Sequence, residues 1–500
     1  MQFYEKLVFV MDLARTSNRE LAQALGVDPA VVSRLRNGRR GAPRKEETVR
    51  RMAGFLAARC TSDYQRSALS EMAGVKRMLV ARPEQLAEFL FYWLRGDEDG
   101  VEGFMRDFEA LTIEGFASNA AMTPHLIGRK GNLVYYGNEG KRAAVRAAFQ
   151  HLLSQEDRGT VCIVADESDD WLVEDGDFLL SLQQGMLSCL QRGARICHIV
   201  PSLYSGDQLL ECLMRWVPLY LTGRVKAYYY PHIRDRLHRH TLAVAPGRIG
   251  ITSHSLAGQR SSYATMLTTD PGLLRTFEAE FRDYLSLCRP MLNAYVEPDK
   301  LLQCFTYFVS SPGLRIQKLP SLSAATAPVE LIDDAVARTE DPELKRLGAA
   351  YREEVVRLEQ GRDCYDLIDL VRLASVEEVR AGTVSLVSSL GTSEPLCYTP
   401  QTYVSHLKNI LRILDAHDDY HFVPLDGPLE YEGSLVVKEG RRALLVHAAE
   451  PFTVLEIAQP EVVAMYREHL LRVAERAGYG GMHRMKAKSR IRELICALEQ

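Results

Sequence analysis

The sequence predicts an α + α/β chain: an all-helical N-terminal bundle with a helix-turn-helix, a helical connector, then two diverged α/β halves. Three observations carry that expectation. Residues 18–37 read as two short amphipathic helices joined at a glycine. Residues 130–290 alternate between short apolar strands and helices, and a segment near residue 240 returns, worn, near residue 435. The chain of 500 residues exceeds one core of ordinary size, so several domains are expected. The boundaries read as 1–62 for the bundle, 63–125 for the connector and 126–295 for the first half. A mostly helical insert at 296–400 and a second, shorter half at 401–500 complete the division.

The bundle is read from its inner positions. Leu21, Ala22 and Leu25 share one helix face, and Gly26 supplies the turn, where a Cβ would be strained. Val27, Val32 and Leu35 form the inner face of the next helix. Ala22 stands four residues before Gly26, where a larger side chain would push the two helices apart. Asp28 suits an N-cap and Pro29 the first helical position. The outward residues Ala30, Ser33, Arg34 and Asn37 are small, polar or basic, and the loop Gly38–Arg44 carries Arg39 and Arg40 within reach of phosphates. A further helix at Lys45–Arg59 would close the bundle through Val49, Met52, Phe55 and Leu56.

Over about sixty residues this pattern resembles the Cro/phage-repressor (XRE) class of DNA-binding domain. The resemblance implies that the Asp28–Arg36 helix enters the major groove of double-stranded DNA. It makes Asp28, Ala30, Ser33, Arg34, Arg36, Asn37, Arg39 and Arg40 the expected interface, and a homodimer the expected reader of two half-sites. Charge agrees: residues 1–60 hold twelve Lys/Arg and six Asp/Glu, leaving −10 for the remainder of a chain whose net charge is −4. A basic head on an acidic body is the layout of a DNA-reading module joined to something that does not bind DNA.

From Asp63 to about Ile113 the chain reads helical. Pro83–Arg95 places Leu86, Phe89, Leu90 and Trp93 at helical spacing, and Val101–Thr112 follows the acidic turn Gly96–Gly100. The aromatic stripe reads as core, with a dimer contact as the functional alternative.

Beyond residue 130, strands are expected at Leu133–Tyr136, Val161–Asp166, Ala194–Val200 and Val225–Pro231. Helices are expected at Gly140–Leu153, Asp177–Arg192 and Gly206–Leu219. This alternation argues a layered α/β domain with a mainly parallel sheet. Laying Val225–Ser253 over Asp418–Val446 without a gap, at an offset of 193, matches Pro231 with Pro424, Leu242 with Leu435, Val244 with Val437 and Gly247 with Gly440. A strand and a proline-led helix follow in each copy, so two related halves are expected.

In the first copy, His238-Arg239-His240 followed by Thr252-Ser253-His254-Ser255 resembles a worn phospholipase D motif. That family has H-x-K, an aspartate five residues on, then a glycine-serine-x-asparagine strand. Here His238 stands at the histidine position, His240 at the lysine, Ala245 at the aspartate, and Ser253 and Ser255 at the last serine and asparagine. The second copy has Tyr431 and Gly433 at the histidine and lysine positions. The family's chemistry needs two histidines, one attacking phosphorus and one protonating the leaving group, with lysines holding the phosphate. Three of those four are absent, so no catalytic residue and no enzyme are expected. The resemblance implies a pocket between the halves, and regulators of this build sense small molecules, sugars among them. Tyr228, Tyr230, His238, His240, Ser253 and Ser255 would line the first half, with His421 and Tyr431 in the second. A structural pseudo-domain whose polar residues satisfy one another is the open alternative.

Pro342–Gly361 places Leu344, Leu347, Tyr351, Val355 and Leu358 on one face, read as cover for the sheet rather than an arm for self-association. Ser321–Pro328 reads as an internal linker, and the basic segment His483–Leu494 as a solvated helix face rather than a second phosphate contact. The ten cysteines, scattered without a CxxC pair or a neighbouring histidine, read as reduced core thiols; no metal and no cofactor are expected. No apolar stretch approaches the length of a membrane span, and the first residues carry Glu5 and Asp12, so a cytoplasmic protein without a membrane partner is expected. These readings converge on a dimeric, sequence-specific DNA-binding transcriptional regulator with a non-catalytic sensory or oligomerisation region. A partner-binding scaffold and a phosphodiesterase are the alternatives.

Overall fold

The computed structural model describes residues 3–41, 43, 45–62, 65, 68–69, 72, 83–95, 101, 105, 108, 131–155, 159–166, 170–200, 206–232, 237–256, 261–297, 300–301, 303–305, 308, 313–338, 340, 342–360, 366–386, 397–425, 433–438, 440–447, 452–480 and 483–500. The expected turn at Gly96–Gly100, most of Val101–Thr112, and Tyr431 lie outside the described residues.

Helices α1 (Phe3–Leu13), α2 (Asn18–Leu25), α3 (Pro29–Arg36) and α4 (Glu46–Ala57) build the head. Leu7, Val10 and Met11 of α1 share one core with Leu21, Ala22 and Leu25 of α2, Val32 and Leu35 of α3, and Val49, Met52 and Leu56 of α4. Helix α1 is an addition to the sequence reading, although Leu7, Val10, Met11 and Ala14 recur at i, i+3, i+4 and i+7. Helix α5 (Pro83–Arg95) closes the same core with Leu86, Phe89, Leu90, Phe91, Trp93 and Leu94. Trp93 stacks on Phe89 at 6.3 Å and meets Phe9 edge-on at 6.2 Å, and the buried Lys6 Nζ donates to the Trp93 carbonyl. The aromatic stripe is therefore head core, so a dimer contact there is set aside and the head's core extends past residue 62.

The remainder is one fourteen-stranded mixed sheet. Its strands are β1 (Asn132–Tyr136), β2 (Thr160–Asp166), β3 (Arg195–Val200), β4 (Val225–Tyr229), β5 (His238–Ala245), β6 (Ile249–Leu256) and β7 (Ala264–Thr268). They continue with β8 (Arg289–Tyr295), β9 (Arg315–Leu319), β10 (Leu367–Arg372), β11 (Tyr420–Leu425), β12 (Leu435–Lys438), β13 (Arg442–His447) and β14 (Thr453–Ile457). The spatial order is β1-β7-β6-β5-β2-β3-β4, then β8-β14-β13-β12-β9-β10-β11. Adding seven to each strand of the first set gives the second set in the same order. The pairing senses also repeat: β2–β3 and β3–β4 are parallel like β9–β10 and β10–β11, and the other pairs within each set are antiparallel. The antiparallel pair β4–β8 joins the sets, so the second half is turned end over end relative to the first.

The helices repeat as well. In the first half α6 (Gly137–Leu153), α7 (Asp170–Val173), α8 (Gly176–Gln191) and α9 (Gly206–Tyr220) precede the hairpins, and α10 (Pro271–Ser286) follows them. In the second half α11 (Val329–Arg338) and α12 (Pro342–Glu359) lie between β9 and β10, and α13 (Val376–Arg380) and α14 (Pro400–Ala416) between β10 and β11. Helix α15 (Pro460–Arg476) follows β14, and α16 (His483–Glu499) packs on β11 and α14. Among the described residues no helix is long and apolar enough to cross a membrane.

Five details of the sequence reading change. Segment 296–400 is not an insert, because β9 and β10 stand in the middle of the second half. Their strands escape an apolar-run criterion because Arg315, Gln317, Lys318 and Asp369 are themselves buried. Pro231 is not the partner of Pro424: β4 and β11 pair with their parallel neighbours so that Tyr229 occupies the place of Pro424, and the following loop is two residues shorter in the second half. Ser321–Pro328 is not a linker, since Ser321, Ser323 and Thr326 are buried and hydrogen-bonded. The sheet is mixed rather than mainly parallel, with only β2–β3, β3–β4, β9–β10 and β10–β11 parallel among the described strands. The basic α16 turns Lys486, Arg490 and Arg492 to solvent, as read from sequence, and anchors its other side. Arg484 donates to the carbonyls of His417 and Asp418, where α14 ends, and Lys488 pairs with Asp415 at 2.6 Å.

Candidate nucleic-acid interface and the strand-end residues

The α2–α3 corner is fixed by local hydrogen bonds. Ser17 caps α2 through a capping box, its hydroxyl accepting from the Glu20 N–H while Glu20 accepts from the Ser17 N–H at 2.8 Å. These bonds, with Arg59, hold the Glu20 carboxyl down at about 2. Gly26 turns the chain with φ +69°, in the left-handed region that favours glycine, and the Val27 N–H donates to the Ala22 carbonyl at 3.0 Å. Asp28 Oδ1 accepts from the Ala30 N–H at 2.7 Å and Pro29 opens α3. Gly38, at φ +68°, then turns the chain above the Tyr4 ring.

With Val32 and Leu35 buried, α3 turns outward Ala30, Arg34 and Asn37, which are exposed, and Ser33, which is partly so. Arg39 and Arg40 continue that surface. Arg34 Nε donates to the Ala30 carbonyl at 3.2 Å, laying the side chain along the helix. The remaining two expected interface residues have structural work: Asp28 is the cap, and Arg36 pairs with Asp12 and braces α3 to α1. Other head cations are engaged too. Arg51 donates to the Ala24 carbonyl at 2.8 Å, Arg59 pairs with Glu20 at 2.9 Å, and Arg50 lies 4.2 Å over the Phe91 ring. Among the described residues, Arg34, Arg39 and Arg40 carry outward positive charge on the α3 side.

The expected ligand residues do not meet in one pocket. His238 and His240 lie on β5, and the His240 ring stacks on His254 of β6 at 4.3 Å, 6° from parallel. His240 also approaches Thr252 Oγ1 at 3.3 Å and Glu280 of α10 at 3.6 Å. Ser253 and Ser255 alternate to the opposite face; Ser253 is buried beside Thr241, whose hydroxyl accepts from Lys141 Nζ at 2.8 Å. Tyr228 packs under α10, and Tyr230 contacts Tyr284 and His232 at ring distances of 5.7 and 5.4 Å. His421, on β11, is ten strand positions from β5, on the order of 48 Å along the sheet. It approaches His483 of α16 at 3.1 Å, and burial lowers its pKa. Because the halves are turned end over end, the starts of β5 and β12 also face opposite edges of the sheet. Among the described residues no shared pocket joins them.

A buried polar group lies instead on the α12/α14 side of the second half. Arg315 pairs with Glu354 at 2.8 Å. Gln317 donates to Asp369 Oδ1 at 2.5 Å and to Ser323 at 2.8 Å, and the Tyr420 hydroxyl donates to Asp369 Oδ2 at 3.1 Å. Burial pushes the Asp369 carboxyl up to about 6. Nearby, His406 is fully buried between Tyr398 (2.8 Å) and Thr326 (3.0 Å), and burial pushes it down to about 3. None of these residues was singled out from sequence; charged residues inside short apolar runs were the available signal.

No family model matches the chain, and no curated protein does. Among solved structures, TrmBL2, described as an archaeal chromatin protein with a novel mode of DNA binding, is similar over 42% of this chain and 72% of its own. The identity is 12% and the TM-score 0.23, a likeness too slight to bear on fold or function.

Proposed function

We propose that the chain is a sequence-specific regulator that binds double-stranded DNA through α3, acting as a homodimer. The observation that carries this reading is the α2–Gly26–α3 corner. A short helix capped by Asp28 presents Ala30, Ser33, Arg34 and Asn37 outward, with Arg39 and Arg40 beside it for phosphates. The duplicated sheet is read as non-catalytic, because His240, Ala245 and Gly433 stand where phosphodiester chemistry needs lysine, aspartate and lysine.

The test is selection of bound genomic fragments by the purified full-length protein at moderate and high salt, beside an Arg34→Ala/Arg39→Ala/Arg40→Ala variant. Substitution is preferable to removing residues 1–60, which would strip the partners of Phe89 and Trp93. The expected outcome is a short inverted repeat, lost in the variant, with affinity that falls steeply with salt. Singly, Arg34→Ala and Ser33→Ala should each weaken operator binding by about 1–3 kcal/mol without unfolding the chain. Failure to enrich any sequence would point to a head that grips another protein.

A further inference from the structure

The first half holds a cavity of about 130 Å³ between the sheet and helices α6, α7, α8 and α9. Among the described residues that line it, none is Lys, Arg, Asp or Glu, and Trp171 and Trp216 form part of the wall. Hollow space of this size in a natural core is costly, since side chains around it lose their contacts. An apolar cavity of similar size stays dry and takes up benzene or xenon.

The duplication shows that the fold does not require a hollow of this size and apolar character. Matching Leu242 with Leu435 carries Val164 onto Lys318 through the β5–β2 and β12–β9 registers. Through the same registers the cavity's Val161, Ala165 and Ala243 correspond to Arg315, Leu319 and Val436. The parallel registers extend the match, so that Val225 corresponds to Tyr420. At each of these four positions the second half carries the larger side chain, and the matched place there keeps a smaller cavity of about 70 Å³ whose wall includes Arg315, Gln317 and Glu354. The first half holds smaller residues at those places and keeps about twice the space, with no charged residue among the described ones that line it.

We propose that this cavity is a binding site for a small, uncharged, apolar molecule of about one ring in size. A charged ligand would lose its hydration with no ionic partner on the wall. The site does not depend on whether the head binds DNA.

The test uses the full-length chain with Trp93→Phe, so that emission comes from Trp171 and Trp216 alone; the chain has three tryptophans. Iodobenzene, an apolar heavy-atom quencher of ring size, is titrated in, and benzene is tested separately for its effect on the melting temperature. The expected result is saturable quenching and a saturable rise in melting temperature. Both should be lost in Ala165→Leu and in Ala243→Val, which place the second half's residues into the space. Quenching that rises linearly without saturation, or saturable quenching that persists unchanged in both variants, overturns the proposal. If one variant fails to fold, the other and the benzene melting series still decide.

Discussion

The two halves of the sheet share strand order, pairing sense and even turn geometry, yet fill the same place with opposite chemistry. On the α6/α8/α9 face of the first half stand Val161, Ile163, His198 and Val225; their counterparts in the second are Arg315, Gln317, Asp369 and Tyr420. One set leaves an apolar cavity, the other a buried network around a cavity about half that size. The backbone ladder specifies where a residue points, and only the local partner decides whether a charge can be there. Arg315 is tolerable inside because Glu354 meets it; nothing on the first half's cavity wall would meet an arginine at residue 161.

The sharpest way to break this contrast is to remove one partner. Arg315→Ala should destabilise the chain by about 3–5 kcal/mol, because Glu354 is left charged and buried. Replacing both, Arg315→Met with Glu354→Leu, should restore most of that loss and turn the second half's interior into a likeness of the first. Urea denaturation of the three proteins distinguishes the cases. A loss below about 1 kcal/mol in Arg315→Ala would mean that the pair behaves like a surface salt bridge, and that the halves differ less than their residues suggest.

The pH dependence of stability should come largely from the second half, with two opposing contributions. Thr326 donates its hydroxyl proton to the Ser323 carbonyl, so His406 must donate from Nε2 and accept the Tyr398 proton at Nδ1, which holds it neutral. Its folded pKa of about 3 lies below the ordinary 6.5, so its stabilisation is full above pH 6.5 and is lost as pH falls toward 3. Asp369 has the opposite sign: at about 6 against 3.8, its contribution is full below pH 3.8 and is lost as pH rises through 6. The limits are about 5 kcal/mol for His406 and about 3 kcal/mol for Asp369. His406→Gln should therefore flatten the acid side of the stability profile, and Asp369→Asn should raise stability near pH 7 while removing the decline between pH 4 and 6. Melting curves across that range check both, and parallel profiles in wild type and variants would overturn the assignment.

The head was the most legible part of the chain, because each of its decisions is local: a cap at Asp28, a proline at the first helical position, a glycine at the turn. What remained hidden there was the partner of each charge. Arg36 looks like Arg34 in sequence, and only the packing of α1 shows that Asp12 takes it. The sheet was legible where strands are apolar, as in β2 and β3, and illegible where the second copy buries Arg315, Gln317 and Asp369 at the same places. The worn histidine motif suggested one shared pocket, a conclusion that needs the copies to face each other. The antiparallel β4–β8 seam, set by residues sixty or more apart in the chain, turns them away instead.

The smallest expected effects fall where the halves should behave alike. Gly247 and Gly440 turn the β5–β6 and β12–β13 hairpins at φ +68° and +66°, and an added Cβ would meet nothing within 4 Å at either. The turns share a bond as well: the Arg248 N–H donates to the Ala245 carbonyl at 3.0 Å, and the Arg441 N–H to the Lys438 carbonyl at 3.1 Å. With space free, alanine pays only for its left-handed backbone, so Gly247→Ala and Gly440→Ala should each cost about 1 kcal/mol. Asparagine should cost less at both, since its side chain tolerates that conformation. Chemical denaturation of the matched pair measures whether backbone equivalence carries equal energy. A Gly440→Ala loss several times that of Gly247→Ala would show that Lys438 and Arg442, which flank the second turn, strain it through their buried contacts, and that the chemistry of the second half reaches the backbone.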